Sequence, residues 1–191
     1  MTPLSFVAVP LISAAFILPG CATLNGPYAP QTEAGRDSAK AQSLTQRAAA
    51  IMDKDKTKAE SLLREALTAD LYHGPAHNNL GTLCLRRGDL FAAASEFEWA
   101  SRLMPNLPEP RMNLALTLER AGRTDEALSV YATAMETYQG HIPTIQAMTR
   151  LEVKSGRTND RTRANLEEIA LKGQTQQWRE WAQGQLARTS R

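Results

Sequence analysis

The chain has 191 residues, of which 42% are hydrophobic and 22% are charged. Its 22 basic and 20 acidic side chains nearly balance, and the net charge of +2 argues against the strongly basic surface that nucleic-acid binding requires. The chain is long enough for one domain with a hydrophobic core. Cys21 and Cys84 are the only two cysteines, so a covalent modification of Cys21 would leave Cys84 without a partner and would exclude an intramolecular disulfide.

The N-terminal segment is apolar and uncharged. No charged side chain precedes Glu33, and residues 4–18 consist mainly of Leu, Ile, Val, Phe and Ala. An apolar core of about 15 residues is shorter than the roughly 20 that cross a bilayer, but it has the length of the apolar core of a secretory signal. The segment therefore predicts a removed signal peptide over residues 1–20.

The stretch Leu18-Pro19-Gly20-Cys21 resembles the lipobox of bacterial lipoproteins. The resemblance implies cleavage before Cys21, a thioether-linked diacylglycerol on Cys21, and a further acyl chain such as palmitate. One chain alone anchors a protein only marginally, whereas two or three hold it durably. We expect no cofactor besides this covalent lipid. An uncleaved membrane anchor over residues 3–24 and an ordinary cleaved signal are the alternatives.

The residue that follows the cysteine bears on the location. Ala22 stands where an Asp would resemble an inner-membrane retention signal. By that resemblance we expect a bacterial outer-membrane protein, lipid-anchored and facing the periplasm. Residues 21–39 contain Gly26, Pro27, Pro30 and several polar side chains, a composition that predicts a flexible, lipid-anchored linker.

Residues 40–173 carry an internal repeat of constant period. Five columns keep one register: Ala59, Ala93 and Ala127; Leu63, Phe97 and Tyr131; Ala66, Ala100 and Ala134; Gly88, Gly122 and Gly156; Leu80, Leu114 and Met148. Within residues 91–103 the small and aromatic residues recur at helical spacing, so they predict a helix that packs closely on a neighbour. A glycine column predicts the points where a helix stops and the chain reverses.

The unit at residues 74–107 resembles the tetratricopeptide repeat (TPR) family at that family's own offsets. The matching residues are Leu80, Gly81, Gly88, Ala93, Phe97, Ala100 and Pro105, with His77 where Trp is common and Cys84 where Tyr is common. The period of the columns is 34, which is the tetratricopeptide spacing. The resemblance implies an all-α, right-handed superhelical solenoid of about three to four helical hairpins.

The other units match less closely. Residues 108–141 keep the main columns, with Gln139 where proline is usual. In residues 40–73 the first helix is expected to be degenerate, because Gln46 and Arg47 replace Leu-Gly. From Ile142 onward, Asn165 and Glu168 replace the aromatic and the alanine. Drift of this kind is typical of end units, whose outer faces meet water.

Residues 174–191 predict a C-terminal capping helix and tail. Trp178, Trp181, Ala182 and Leu186 fall on one helical stripe, and apolar stripes usually pack against a core. The alternative is that Trp178 or Trp181 anchors an interface, since Trp is enriched at interface hot spots.

No enzymatic pattern is found in the sequence. HExxH, GxGxxG, GxxxxGK[ST] and GxSxG motifs are absent, and we expect neither catalytic residues nor a metal site. His73 and His77 lie four residues apart, but Gly74-Pro75 between them should break the helix. Cys84, between Leu83 and Leu85, is expected to act as a small hydrophobe.

The tetratricopeptide resemblance implies a concave surface, lined by the first helices, that holds peptides or helices of protein partners. Mapping the family's groove positions gives Asn78, Thr82, Leu85, Arg86, Met112, Leu116, Glu119 and Arg120. Leu85, Met112 and Leu116 would form an apolar strip for an amphipathic helix or an extended segment, unless some of them are buried between repeats. This lining lacks the Lys and Asn set that resembles a carboxylate clamp. Asn79 and Asn113, which are one period apart, are interpreted as structural.

Lipobox, linker and short solenoid together resemble the small pilotin-like lipoproteins of tight-adherence (Tad) and type IV pilus systems. The resemblance implies a non-enzymatic scaffold whose partner is an outer-membrane secretin or another pilus-assembly component. A general periplasmic adaptor that recruits peptidoglycan enzymes or other envelope complexes is the alternative. An enzymatic function would need a polar pocket with converging titratable groups.

Overall fold

The computed structural model of the chain describes residues 33–189. The predicted signal peptide, Cys21 and most of the predicted linker lie outside these residues. After a short 3-10 turn at Glu33–Gly35, the described part contains nine α-helices and no strand: α1 (Ser38–Ile51), α2 (Lys56–Ala69), α3 (Gly74–Arg87), α4 (Leu90–Leu103), α5 (Pro108–Arg120), α6 (Thr124–Thr137), α7 (Ile142–Ser155), α8 (Asp160–Lys172) and α9 (Gln176–Thr189). Among these helices, none has the length and apolar character needed to span a bilayer.

The helices pair in chain order into antiparallel hairpins. α1 packs on α2, α3 on α4, α5 on α6 and α7 on α8, and each second helix also contacts the first helix of the next hairpin. α3, α5 and α7 begin at positions 74, 108 and 142, so they follow one another at the period of the sequence repeat. The predicted all-α solenoid is thereby confirmed, with four hairpins and one further helix within residues 33–189.

Local sequence signals fix the helix ends. Gly88 terminates α3 with φ 85°, the left-handed conformation that glycine adopts without steric cost. Asp89 then caps α4 by accepting a hydrogen bond from the backbone N–H of Ala92. Pro75 occupies the first turn of α3, where no intrahelical N–H is needed. The chain can therefore reverse between α3 and α4 within two residues.

The repeated columns form the core between the two layers of helices. The alanine columns at 59, 93 and 127 and at 66, 100 and 134 are 0% exposed, and Leu63, Phe97 and Tyr131 are at most 1% exposed. The Phe97 ring packs so closely against Gly81 that a Cβ there would lie 2.8 Å from its Cε1 atom. The predicted pairing of small residues with a large one across the hairpin is confirmed.

The predicted register of α1 is wrong by two residues. Leu44 and Thr45 are each 4% exposed, whereas Gln46 and Arg47 are exposed. The connection between α1 and α2 spans four residues, 52–55, instead of the two at 88–89, so α1 begins correspondingly earlier in the chain. The first helix is therefore not degenerate, because Leu44 fills the position that the fixed period assigns to Gln46.

The second helix of the last hairpin is shifted in the opposite direction. Leu166 and Ile169 are 2% and 0% exposed and take the places predicted for Asn165 and Glu168. A four-residue connection at 156–159 delays the start of α8. Asn165 is nevertheless 7% exposed, and its Nδ2 has no hydrogen-bond partner.

The sequence predicted that the solenoid starts at Lys40, but the folded part starts earlier in the chain. Arg36 donates from Nε to Oδ1 of Asp70 over 2.8 Å, and Ser38 donates from Oγ to Oδ2 over 2.7 Å. Burial acts to raise the pKa of Asp70, but these hydrogen bonds outweigh it and lower the pKa overall. The turn before α1 is thus bound to the end of α2.

α9 covers the open end of the last hairpin. Ala182 is 0% exposed and lies in one cluster with Ile145, Leu166 and Ile169. Trp178, Trp181 and Leu186 pack against this cluster and stay partly exposed. The two indole rings meet edge to face, with centroids 5.3 Å apart. These contacts support the interpretation of α9 as a cap.

Candidate protein-binding groove

The first helices of the four hairpins lie side by side on one face of the array. α1 contacts α3, α3 contacts α5, and α5 contacts α7, whereas the second helices α2, α4, α6 and α8 make no comparable contacts with one another. Because only the first-helix layer is closely spaced, the array curves toward it. This face is therefore the concave one, as in other helical solenoids.

All eight predicted groove residues lie on α3 and α5, the two central first helices. Their exposure varies: Arg86 and Arg120 are exposed; Asn78, Thr82, Leu85, Met112 and Leu116 are half-buried; and the Glu119 side chain is 7% exposed. No member of the predicted apolar strip is fully buried between repeats. An apolar surface therefore stays open to a partner on this face.

An asparagine pair connects the two central first helices. Asn113 donates from Nδ2 to Oδ1 of Asn78 over 3.2 Å. Thr82 donates from its hydroxyl to the backbone oxygen of Asn78 over 2.9 Å. The partner of Asn113 is thus Asn78, which the sequence assigned to the groove, and not the periodic Asn79. The contact supports the structural interpretation of Asn113.

Glu119 is engaged by the neighbouring hairpin. Arg150 binds both of its carboxylate oxygens, at 3.1 and 2.7 Å, and Lys154 binds one of them at 3.2 Å. Burial alone would raise the pKa of Glu119, but these hydrogen bonds from α7 outweigh it and lower the pKa. Glu119 therefore links α5 to α7 instead of offering a carboxylate to a partner.

The two predicted groove arginines differ in their surroundings. Arg86 donates from Nη1 to Oδ1 of Asp53 over 2.6 Å, and the Asp53 side chain is 80% exposed. Within residues 33–189 no carboxylate lies within ion-pair distance of Arg120. Exposed ion pairs contribute little, so Arg86 can exchange its partner at small cost.

α7 extends the face with residues that the sequence mapping did not include. Arg150 lies one repeat period after Leu116, and Lys154 lies one period after Arg120. Extending the mapping by one more unit would have found both. Gln146, one turn before Arg150, is 2% exposed, and its Nε2 has no hydrogen-bond partner.

A cavity of about 300 Å³ lies at the junction of α7 and α9. It is lined by Arg150, Gln177, Trp178 and Trp181. The two tryptophans therefore pack on the core with one part of their surface and line an opening beside the groove with another. An apolar side chain of a bound segment would find a complementary surface there.

His77 and Cys84, which the sequence analysis considered as a possible metal ligand and as a small hydrophobe, are both buried in the core. His77 is 0% exposed; its Nδ1 lies 2.6 Å from Oε2 of Glu96 and its Nε2 lies 2.8 Å from the backbone oxygen of Leu71. Neither nitrogen is thus available to a metal, and the described residues contain no cluster of metal ligands. Burial raises the pKa of the Cys84 thiol, which is 2% exposed.

No protein-family model matches the chain. Among curated proteins it is similar to tetratricopeptide repeat protein 8 of Mus musculus, with 26% identity over 98 residues. The match covers 51% of this chain and 19% of the mouse protein, so the chain spans about a fifth of the length of that relative.

Solved structures share the fold. PilF of Pseudomonas aeruginosa superimposes with a TM-score of 0.71 and 18% identity, over 81% of this chain and 70% of PilF. YrrB, described as a TPR protein with an unusual peptide-binding site, superimposes with a TM-score of 0.62 and 21% identity, over 78% of this chain and 76% of YrrB. The first TPR domain of Spaghetti, bound to an HSP90 peptide, superimposes with a TM-score of 0.59 and 16% identity, over 64% of this chain and 98% of the Spaghetti domain. The chain has a tetratricopeptide-like fold.

Proposed function

We propose that this protein is a non-enzymatic outer-membrane lipoprotein that binds an envelope protein in its groove and aids secretin assembly in a Tad-type pilus system. The observation that carries the proposal is the open apolar strip on the concave face. Leu85, Met112 and Leu116 are half-buried, although a solenoid could have buried all three between its hairpins. Apolar side chains at such positions suit an amphipathic helix or an extended segment.

The anchor and the linker would set the location of this groove. A diacylglycerol on Cys21 and a second acyl chain would hold the protein at the membrane. Treated as a random coil, the roughly 11 residues between Cys21 and the turn at Glu33–Gly35 would keep the folded part a root-mean-square distance of about 18 Å from the lipid. The groove would then reach the periplasmic part of an outer-membrane partner.

The lipid anchor is tested by mass. Intact protein purified from the membrane fraction should begin at Cys21 and carry added acyl mass, and a Cys21→Ala variant should lack that mass. A wild-type chain that retains Met1 without lipid would contradict the lipoprotein assignment. The groove assignment does not depend on this result.

The partner is tested by affinity purification from detergent-solubilised membranes. Wild-type protein should recover a secretin, and Leu116→Asp should lose it because a carboxylate is costly on a half-buried apolar surface. Phe91→Asp is the matched control, since Phe91 is apolar and 89% exposed on the second helix α4. Recovery of peptidoglycan enzymes in place of a secretin would favour the adaptor function. Failure to recover a secretin, with normal secretin multimers in a deletion strain, would contradict the pilus assignment.

A further inference from the structure

Charge is divided unevenly between the two layers of the solenoid. The first helices α1, α3, α5 and α7 carry eight basic and three acidic residues, a net charge of +5. The second helices α2, α4, α6 and α8 carry seven basic and ten acidic residues, a net charge of −3. The near-neutral total conceals this separation. The concave layer is therefore the electropositive side of the solenoid.

A row of cations runs across the concave layer at one repeated position. Arg86 on α3, Arg120 on α5 and Lys154 on α7 follow one another at the repeat period. Arg150 lies one helical turn before Lys154. Because neighbouring first helices are in contact, the row crosses the groove from hairpin to hairpin.

The carboxylates of the described residues neutralise this row only in part. Asp53 pairs with Arg86, and Glu119 serves both Arg150 and Lys154. Four cations thus meet two carboxylates, one of which is 80% exposed and held by a surface ion pair. An incoming acidic side chain could pair with Arg120 directly and could replace Asp53 at Arg86.

We infer that the segment bound in the groove is an acidic, extended protein segment with a carboxylate at about every third residue. Helices in contact lie about 8–10 Å apart, and an extended segment in the polyproline II conformation advances about 3.1 Å per residue with three residues per turn, so that every third side chain lies on the same face. Three residues of the segment therefore span one hairpin, and carboxylates at that interval meet successive cations of the row. The inference rests on the proposed groove function and names the chemistry of its partner.

The shape of the surface favours a protein segment over other anions. The cations lie on the concave layer, where the nearly flat surface of a bilayer would touch the rims of the solenoid first. An extended peptide is narrow enough to follow the groove. Vesicles containing phosphatidylglycerol and a single-stranded oligonucleotide are therefore included in the test as competing ligands.

The probe is a fluorescein-labelled peptide of twelve residues with Glu at every third position in an Ala/Ser background. Its matched control carries Gln at the same positions. By fluorescence anisotropy at low salt, the full chain should bind the Glu peptide about tenfold more tightly than the Gln peptide, as three weak ion pairs together provide. The difference should shrink at high salt, because exposed charges are screened.

Two triple variants assign the effect to the row. Replacing Arg86, Arg120 and Lys154 by Gln should abolish the preference, so that the Glu and Gln peptides bind with about equal affinity. The control replaces Arg64, Arg102 and Arg163 by Gln. These are three exposed arginines on the second helices, and each pairs with a Glu four residues away. That control should keep the preference. Circular dichroism melting of both variants verifies that they are folded.

Each outcome bears on the inference. Equal behaviour of the Glu and Gln peptides, including no detectable binding of either, would overturn it, as would equal loss in both triple variants. Tighter binding of vesicles or oligonucleotide than of the Glu peptide would also overturn it. If the Leu116→Asp variant still loses its membrane partner in those cases, the groove function stands and only the acidic chemistry fails.

Discussion

Substitution of Gly81 by alanine tests the packing at the centre of the repeat. Gly81 is buried in α3, and a Cβ there would lie 2.8, 2.9 and 3.1 Å from the Cε1, Cδ1 and Cζ atoms of Phe97. Real Cβ atoms do not approach other atoms so closely. The Phe97 ring is 0% exposed and cannot swing into solvent. The added methyl group must therefore displace either the ring or one helix of the hairpin.

The magnitude follows from two opposing effects. Overpacking of a core usually costs about 1–3 kcal/mol. Alanine in a helix interior is more favourable than glycine by about 0.5–1 kcal/mol, which offsets part of that cost. Gly184→Ala on α9 is the matched control, because no atom lies within 4 Å of its Cβ position. We expect the unfolding free energies of the two variants to differ by about 1–3 kcal/mol, with the Gly81 variant the less stable.

Urea denaturation followed by circular dichroism measures the difference. Equal m-values in both variants would show that the same surface is exposed on unfolding. A double variant, Gly81→Ala with Phe97→Leu, should be less destabilised than the two single changes summed, because the smaller side chain makes room for the methyl group. Equal effects of Gly81→Ala and Gly184→Ala would refute the packing described for the hairpin.

Four further changes test other parts of the structure. Phe97→Ala should lower the unfolding free energy by about 3–5 kcal/mol in urea denaturation, and a loss below about 1 kcal/mol would contradict its place in the core. Glu119→Gln should destabilise the protein at pH 7, and this destabilisation should disappear toward pH 3. The pKa of Glu119 is lowered in the folded protein, so its ionised carboxylate stabilises the fold above the unfolded pKa, and that stabilisation is lost as the pH falls through the folded pKa. Glu152→Gln should instead stabilise the protein at pH 7 and leave its stability unchanged near pH 3, because burial raises the pKa of Glu152 and its Oε2 has no hydrogen-bond partner. Thermal melts from pH 3 to 7 measure the stability of both variants. Trp181→Ala should speed hydrogen exchange in α9 and α8 more than in α3, and uniform protection in all three would contradict the capping role.

The sequence predicted the regular part of the fold well. The periodic columns gave the starts of α3, α5 and α7 in one register and identified the residues that fill the hairpin cores. This succeeded because small and aromatic residues at fixed offsets are required wherever two helices of a hairpin cross. The prediction failed at both ends, where four-residue connections at 52–55 and 156–159 shift one helix against the fixed period.

The groove could be predicted in position but not in chemistry. The period placed Leu85, Met112 and Leu116 on the concave face, and their partial exposure agrees with an open strip. It could not show that Glu119 is occupied by α7, because that contact joins residues 31 and 35 positions apart. The separation of charge between layers also emerged only after each charged residue could be assigned to a first or a second helix.

Site-specific photo-crosslinking in living cells tests whether the concave face of the solenoid binds the partner. A photoreactive residue at Leu116, in the groove, is compared with one at Phe91, which is 89% exposed on the second helix α4. We predict that the Leu116 position captures one envelope protein through an acidic segment, identified by mass spectrometry of the adduct, and that the Phe91 position does not. Capture of the same protein from Phe91 but not from Leu116 would contradict it.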